Sequence, residues 1–122
     1  MKKTLVRQIL EIVGPENFST NPADLKCYSY DASSISSPPE AVILPGSTEE
    51  VSRVLSLANQ EGLSVFPRGA GTGTTGASVP INGGLAFCLT RMDRIISINP
   101  GDLTALVEPG VAVSYTHLRA HE

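Results

Sequence analysis

Tryptophan is absent from this 122-residue chain, and cysteine occurs only twice. Cys27 and Cys88 are too few for a disulfide framework and lack metal-ligand spacing, so no metal site is expected. A basic surplus is missing too: nine Lys and Arg face twelve Asp and Glu, a net charge of −3. That balance argues against a general binder of nucleic acid or anionic membranes. No apolar run approaches the ~18 residues of a membrane span, and Arg7 and Glu11 interrupt the stretch that an export signal would need after Met1, Lys2 and Lys3. These absences point to a cytoplasmic protein that meets a membrane, if at all, peripherally through a partner. What is present suffices for a core: 41% of residues are hydrophobic, too many for a disordered chain. The length is that of about one domain.

Leu5, Ile9, Ile12 and Val13 recur at helical spacing over residues 4–13, and Gly14 and Pro15 give the stop. Residues 22–39 are polar, Ser-rich and without period, which predicts an ordered loop or meander. Residues 41–44 read as a short strand closed by Pro45 and Gly46. Ser47 and Glu50 form a capping box expected to satisfy helix-start amides from both directions. Val51, Val54, Leu55 and Ala58 then make one apolar stripe, and Gly62 ends the helix. Residues 63–66 predict a second strand stopped by Pro67, completing a βαβ-like unit. Residues 85–89, 95–98 and 103–107 are strand-like, with a turn at Asn99, Pro100, Gly101 and Asp102. The expected fold is α+β: an N-terminal helix, a βαβ unit and short strands of a mixed sheet.

Six of the eleven glycines lie between Gly69 and Gly84. The run P-R-G-A-G-T-G-T-T-G-A-S-V-P from Pro67 to Pro80 follows directly on a predicted strand. Glycines at 69, 71, 73 and 76 let successive N–H groups converge on an anion, and Thr72, Thr74, Thr75 and Ser78 add hydroxyl donors. Gly71, Gly73 and Gly76 match the dinucleotide fingerprint G-x-G-x-x-G literally. That fingerprint needs a helix to open at the loop, and Pro80, Gly83 and Gly84 forbid one. The triphosphate loop fails differently, because Ala77 stands where its lysine must reach the phosphates. A phosphate or pyrophosphate site and a ligand-free glycine-rich connection both remain open on these residues alone.

Four blocks in order carry a resemblance: L-P-G-S-T-E-E-V from Leu44, V-F-P-R-G-A-G-T from Val65, L-T-R-M-D-R-I from Leu89 and V-E-P-G-V from Val107. Together they resemble the FAD-binding domain of the vanillyl-alcohol oxidase and p-cresol methylhydroxylase superfamily. The branch most alike holds the glycolate oxidase flavin subunit and D-lactate dehydrogenase. The resemblance implies a p-cresol-methylhydroxylase-type cofactor domain, with residues 1–40 as N-terminal helix and ordered loop and 41–112 as part of that domain. It also implies that Arg68, Gly69, Ala70, Gly71, Thr72 and Gly73 cradle the FAD pyrophosphate through backbone amides. Thr74, Gly76 and Ala77 continue the cradle, while Pro45 and the turn of Pro109, Gly110 and Val111 approach the flavin.

Each residue also has a plainer reading. Arg68 could be an ordinary solvated or paired side chain, Pro109 and Gly110 only a turn, and the threonines bonded to their own backbone. Tyr28, Tyr30 and Asp31 match a Y-S-x-D-A stretch of the family and are expected to position the loop or pack rather than perform chemistry. Cys27 and Cys88 are expected as small buried hydrophobes. No catalytic residue is assigned, because the family's substrate-facing groups come mostly from the later part of a longer chain.

The activity implied is oxidation of a small 2-hydroxy acid, glycolate or D-lactate, by hydride transfer from its α-carbon to FAD. Reoxidation would use an unknown electron acceptor or an iron–sulfur partner subunit. Non-covalent FAD is expected, since Thr72 stands where histidine-linked relatives carry the histidine of an R-x-G-G-H pattern. The alternatives are a non-redox or reductive relative, of the alkyl-dihydroxyacetonephosphate synthase or UDP-N-acetylmuramate dehydrogenase type, and a flavin-free phosphate-binding module. Residues 113–122, with His117 and His121, depart from the family pattern and resemble translated vector sequence. The expectation is therefore a fragment inactive alone, with an unpaired edge strand and open apolar surface.

Overall fold

The computed structural model describes residues 1–111. The tail expected at 113–122, with both histidines, lies outside the described residues. Helix α1 (Lys3–Val13) buries Leu5, Ile9 and Val13, one residue per turn on a single face. A 3-10 turn at Pro15–Asn17 follows, and the Asn17 side-chain Nδ2 donates back to the Val13 carbonyl at 2.9 Å. Strand β1 (Phe18–Ser19) comes next, then α2 (Pro22–Cys27), β2 (Ala41–Ile43), α3 (Thr48–Glu61), β3 (Val65–Arg68), β4 (Leu85–Cys88), β5 (Ile95–Asn99) and β6 (Thr104–Val107).

Helix α2 corrects the expectation of a loop throughout 22–39. Asn21 accepts from the Ala23 amide at 2.9 Å and Pro22 opens the first turn, a cap-plus-proline start that outweighs the weak apolar period. The capping box of α3 is only half as expected. Ser47 Oγ accepts from the Glu50 amide at 3.2 Å, but the Glu50 carboxylate takes the Gly46 N–H instead, one residue further back. Pro67 does not stop its strand either; β3 continues through it to Arg68. The reason is position, because β3 lies at a sheet edge, where a missing N–H leaves no ladder bond unmade.

The main sheet has the order β1-β2-β4-β3, with β2, β4 and β3 parallel and β1 antiparallel to β2. It is the expected mixed sheet, with β4 inserted between the two strands of the βαβ unit. Central β4, L-A-F-C, is buried at every position, as a parallel strand covered on both faces must be. Leu85 and Phe87 face Leu5, Ile9 and Val13 of α1 and Val54 and Ala58 of α3 in one core. Alternate residues turn to the other face, where Cys88 meets Tyr28. The β5-β6 hairpin is a separate antiparallel pair, with Ile98 opposite Ala105 and a bulge between Ile95 and Ser97. Its base returns to the β4 exit: the Glu108 amide donates to Arg94 O at 2.9 Å and the Gly110 amide to Met92 O at 2.8 Å.

Candidate functional site

The parallel strands end level, with Ile43 opposite Phe87 and Arg68 opposite Cys88. Ligands of open sheets gather at such carboxyl ends. Three expected site segments leave from this end. Pro45 is buried just past β2, the glycine loop 69–84 follows β3, and the turn at Pro109, Gly110 and Val111 closes against the exit of β4. A Cβ on Gly110 would overlap the Leu89 carbonyl oxygen and lie 2.7 Å from that of Met92. Glycine is required there by backbone meeting backbone.

The loop has two unlike sides. On the open side, Ala70, Thr72, Gly73, Thr74, Thr75 and Ala77 are exposed. The amides of residues 70–75 find no backbone acceptor among the described residues. On the closed side the loop is tied to the segment after α2. Gly73 O accepts from the Ala32 amide at 2.8 Å, and the Gly76 amide donates to Asp31 Oδ2 at 3.0 Å. The other oxygen, Oδ1, accepts from the Ser33 amide at 2.7 Å and also from the Ser33 hydroxyl. These bonds, the Ser33 hydroxyl first, hold the Asp31 carboxyl below its usual range. Gly76, expected as a cradle donor, thus has its N–H engaged by a side chain.

Arg68 lies under this loop and is only 8% exposed. Its Nη1 donates to Tyr30 O at 3.1 Å, and its guanidinium carbon sits 5.2 Å from the centre of the Tyr28 ring, a cation–π distance. Nε is buried without a hydrogen-bond partner. Gly71 stands directly over the group, at φ +74°, where a Cβ would overlap Arg68 Nη2. Burial pushes the Tyr28 phenol above its ordinary pKa, with Cys88 adding to the shift. Cys88 is buried as expected; Cys27 is exposed, a correction. It sits in the last turn of α2, a helix with no buried residue.

Sequence reasoning expected Tyr28, Tyr30 and Asp31 to position the loop, and Asp31 does so directly. It missed the Tyr30 carbonyl as the acceptor for Arg68; no side-chain pattern encodes a backbone acceptor. The spacing Asp31-x-Ser33, which makes an Asx turn, was the readable sign that the carboxylate is fixed locally.

This arrangement fits an anionic group. Amides without backbone acceptors, in a mostly exposed loop with neighbouring threonine hydroxyls, are the donors such a site would use without a helix dipole. Among the described residues, no cluster of His, Cys, Asp or Glu could hold a metal. No described helix is long and apolar enough to cross a membrane. A furrow of about 420 Å³ between α1 and α3 is lined by Gln8, Glu11, Arg53 and their neighbours, away from the loop.

Fold and loop together define a cofactor domain whose glycine loop leaves the carboxyl end of a parallel strand without opening a helix. The chain belongs to the family described as FAD binding domain, which matches residues 39–121; FAD is that family's cofactor. It is 39% identical over 121 residues to the glycolate oxidase subunit GlcD of Bacillus subtilis, covering 98% of this chain and 26% of that protein. It is 38% identical over 104 residues to D-2-hydroxyglutarate dehydrogenase of Xanthomonas citri pv. viticola, covering 84% and 22%. The chain therefore spans about a quarter of the length of these relatives. The structure of p-cresol methylhydroxylase with substrate bound superposes with a TM-score of 0.82 at 23% identity, covering 97% of this chain and 24% of that one. That likeness establishes a shared fold.

Proposed function

We propose that this chain supplies the pyrophosphate cradle for FAD in an oxidoreductase that acts on a small 2-hydroxy acid of the glycolate or D-lactate type. The observation that carries the reading is the run of amides at residues 70–75 without backbone acceptors, in a mostly exposed loop at the carboxyl end of parallel strands. The 2-hydroxy-acid class rests on what GlcD and D-2-hydroxyglutarate dehydrogenase are named for. The flavin, when bound, accepts the hydride that leaves the substrate α-carbon. The chain's own work is binding and orientation. Amides from Ala70 to Thr74 take the phosphate oxygens, and the Thr72 and Thr74 hydroxyls add donors. Pro45 and the turn at 109–111 border the same end of the sheet, while Gly76 and Ala77 shape the loop's far end. Residues 41–112 form the cofactor portion, and the family match runs on through residue 121. A partner subunit or separate acceptor takes the electrons onward, a reading supported by GlcD being itself a subunit.

The test is flavin content and reducibility of the purified full-length protein. Stoichiometric flavin, bleached anaerobically by glycolate, D-lactate or D-2-hydroxyglutarate but not by simple alcohols, is the expected result. A colourless protein that takes up no FAD would overturn the reading. Attachment is non-covalent in this scheme, because Thr72 cannot form a histidyl bond. Acid precipitation should release all flavin into the supernatant; fluorescence retained on the denatured band would refute it.

A further inference from the structure

We propose that Arg68 is a positioning residue: lodged beneath Gly71 and bonded to the Tyr30 carbonyl, it acts with the Asp31 carboxylate on the Gly76 amide to hold the loop in its receiving shape before cofactor arrives. The proposal rests on the FAD reading above and says how that site is built. Three observations carry it. Arg68 is 8% exposed and its Nε is wholly buried, so the guanidinium lies behind the backbone rather than on the open side. A ligand donor needs access, and this one has little.

The second observation is commitment. Nη1 is spent on Tyr30 O at 3.1 Å, and the guanidinium faces the Tyr28 ring. Keeping a charged group buried with one donor unsatisfied is unfavourable, a cost that a surface arginine would not incur. The third is the shape of Gly71, whose missing Cβ is the space that Nη2 occupies. Gly71 is therefore required by Arg68 from below, whatever approaches from above. Arg68 and Asp31 pull on opposite ends of the same loop from one segment: Tyr30 holds the first, and Asp31 grips Gly76. Two of the loop's groups, Gly73 O and Gly76 N–H, are thus fixed to this segment while the amides of residues 70–75 keep no backbone acceptor.

The experiment separates this role from direct phosphate contact. Hydrogen exchange is followed on the apo protein at the Ala32 and Gly76 amides, the two donors of the interlock, with α3 amides as the folding control. In Arg68→Met, both should exchange at least about tenfold faster than in wild type while α3 stays protected. Dissociation constants for FAD should rise about tenfold, with an unchanged slope against ionic strength; Arg68→Lys should recover part of the loss. Unchanged apo exchange together with a shallower salt slope would make Arg68 a phosphate ligand and overturn the proposal.

A second measurement guards against an unfolded variant. Gly71→Ala should destabilise the apo protein less in an Arg68→Ala background than in wild type, because the overlapping atom is gone. Equal costs in both backgrounds would also overturn the proposal. Both apo readouts stand even if the protein binds no flavin, so failure of the functional reading remains distinguishable.

Discussion

Strands β4 and β6 have the same length and a similar apolar content, L-A-F-C against T-A-L-V, yet one is buried throughout and the other is almost wholly exposed. β4 is bordered by parallel strands on both edges and roofed by α1 and α3. β6 pairs only with β5, and Leu106 is 60% and Ile96 56% exposed. Local sequence preference is satisfied in both, so neighbours alone make the difference. Stability should therefore be concentrated in the parallel sheet and its two helices. The hairpin contributes a frame for the site end, through its backbone bonds to Arg94 and Met92.

The sharpest way to test that contrast is Leu85→Ala. Leu85 is fully buried at the centre of the core, and such truncations cost about 2–5 kcal/mol. A urea midpoint barely moved by this change would break the comparison. Gly110→Ala comes next, because its Cβ meets two backbone carbonyls that cannot rotate away. Overpacking of this kind costs about 1–3 kcal/mol. The loss should also appear as faster exchange of the Glu108 amide, which marks the seam between hairpin and sheet.

Acid gives a smaller and more selective effect. The folded Asp31 carboxyl titrates below its ordinary value of about 3.9, so its contribution is complete above that pH and fades as pH falls through the folded pKa. Glu108 behaves alike, held low by the Arg94 guanidinium across the hairpin base. Wild type should exceed Asp31→Asn in stability near neutrality, with the gap narrowing below about pH 4. Urea titrations across that range check the sign; a gap that widens in acid would contradict it.

Most of the elements were legible in the residues, the contrast between sheet and hairpin was not, and the limits have physical causes. The stripes of α1 and α3, the parallel strands and the glycine loop all follow from period and punctuation. Helix α2 was hidden because its six residues bury no side chain, leaving only Asn21 and Pro22 to announce it. Pro67 misled because edge position is a property of the sheet, not of the strand. At the site, glycine spacing located the loop, but Gly71 looked like an opening for a phosphate. Only coordinates put Arg68 in that space. The engagement of Gly76 by Asp31, 45 positions away in sequence, is likewise a product of topology.

The smallest effect should come from the hairpin itself, through Leu106→Thr. Leu106 sits opposite Ser97 across the ladder and has 60% of its surface in solvent. Threonine is β-branched and suits a pleated strand, so neither backbone preference nor pairing is lost. Little apolar area returns to water, and surface changes of this type stay within about 0.5 kcal/mol. The exposed apolar surface of the hairpin, to which Ile96, Ile98 and Leu106 all contribute, is meanwhile reduced, which should lower concentration-dependent association seen by light scattering. A midpoint shift beyond about 1.5 kcal/mol, half a core truncation, would mean that Leu106 packs in solution against something the sheet-and-hairpin contrast leaves out.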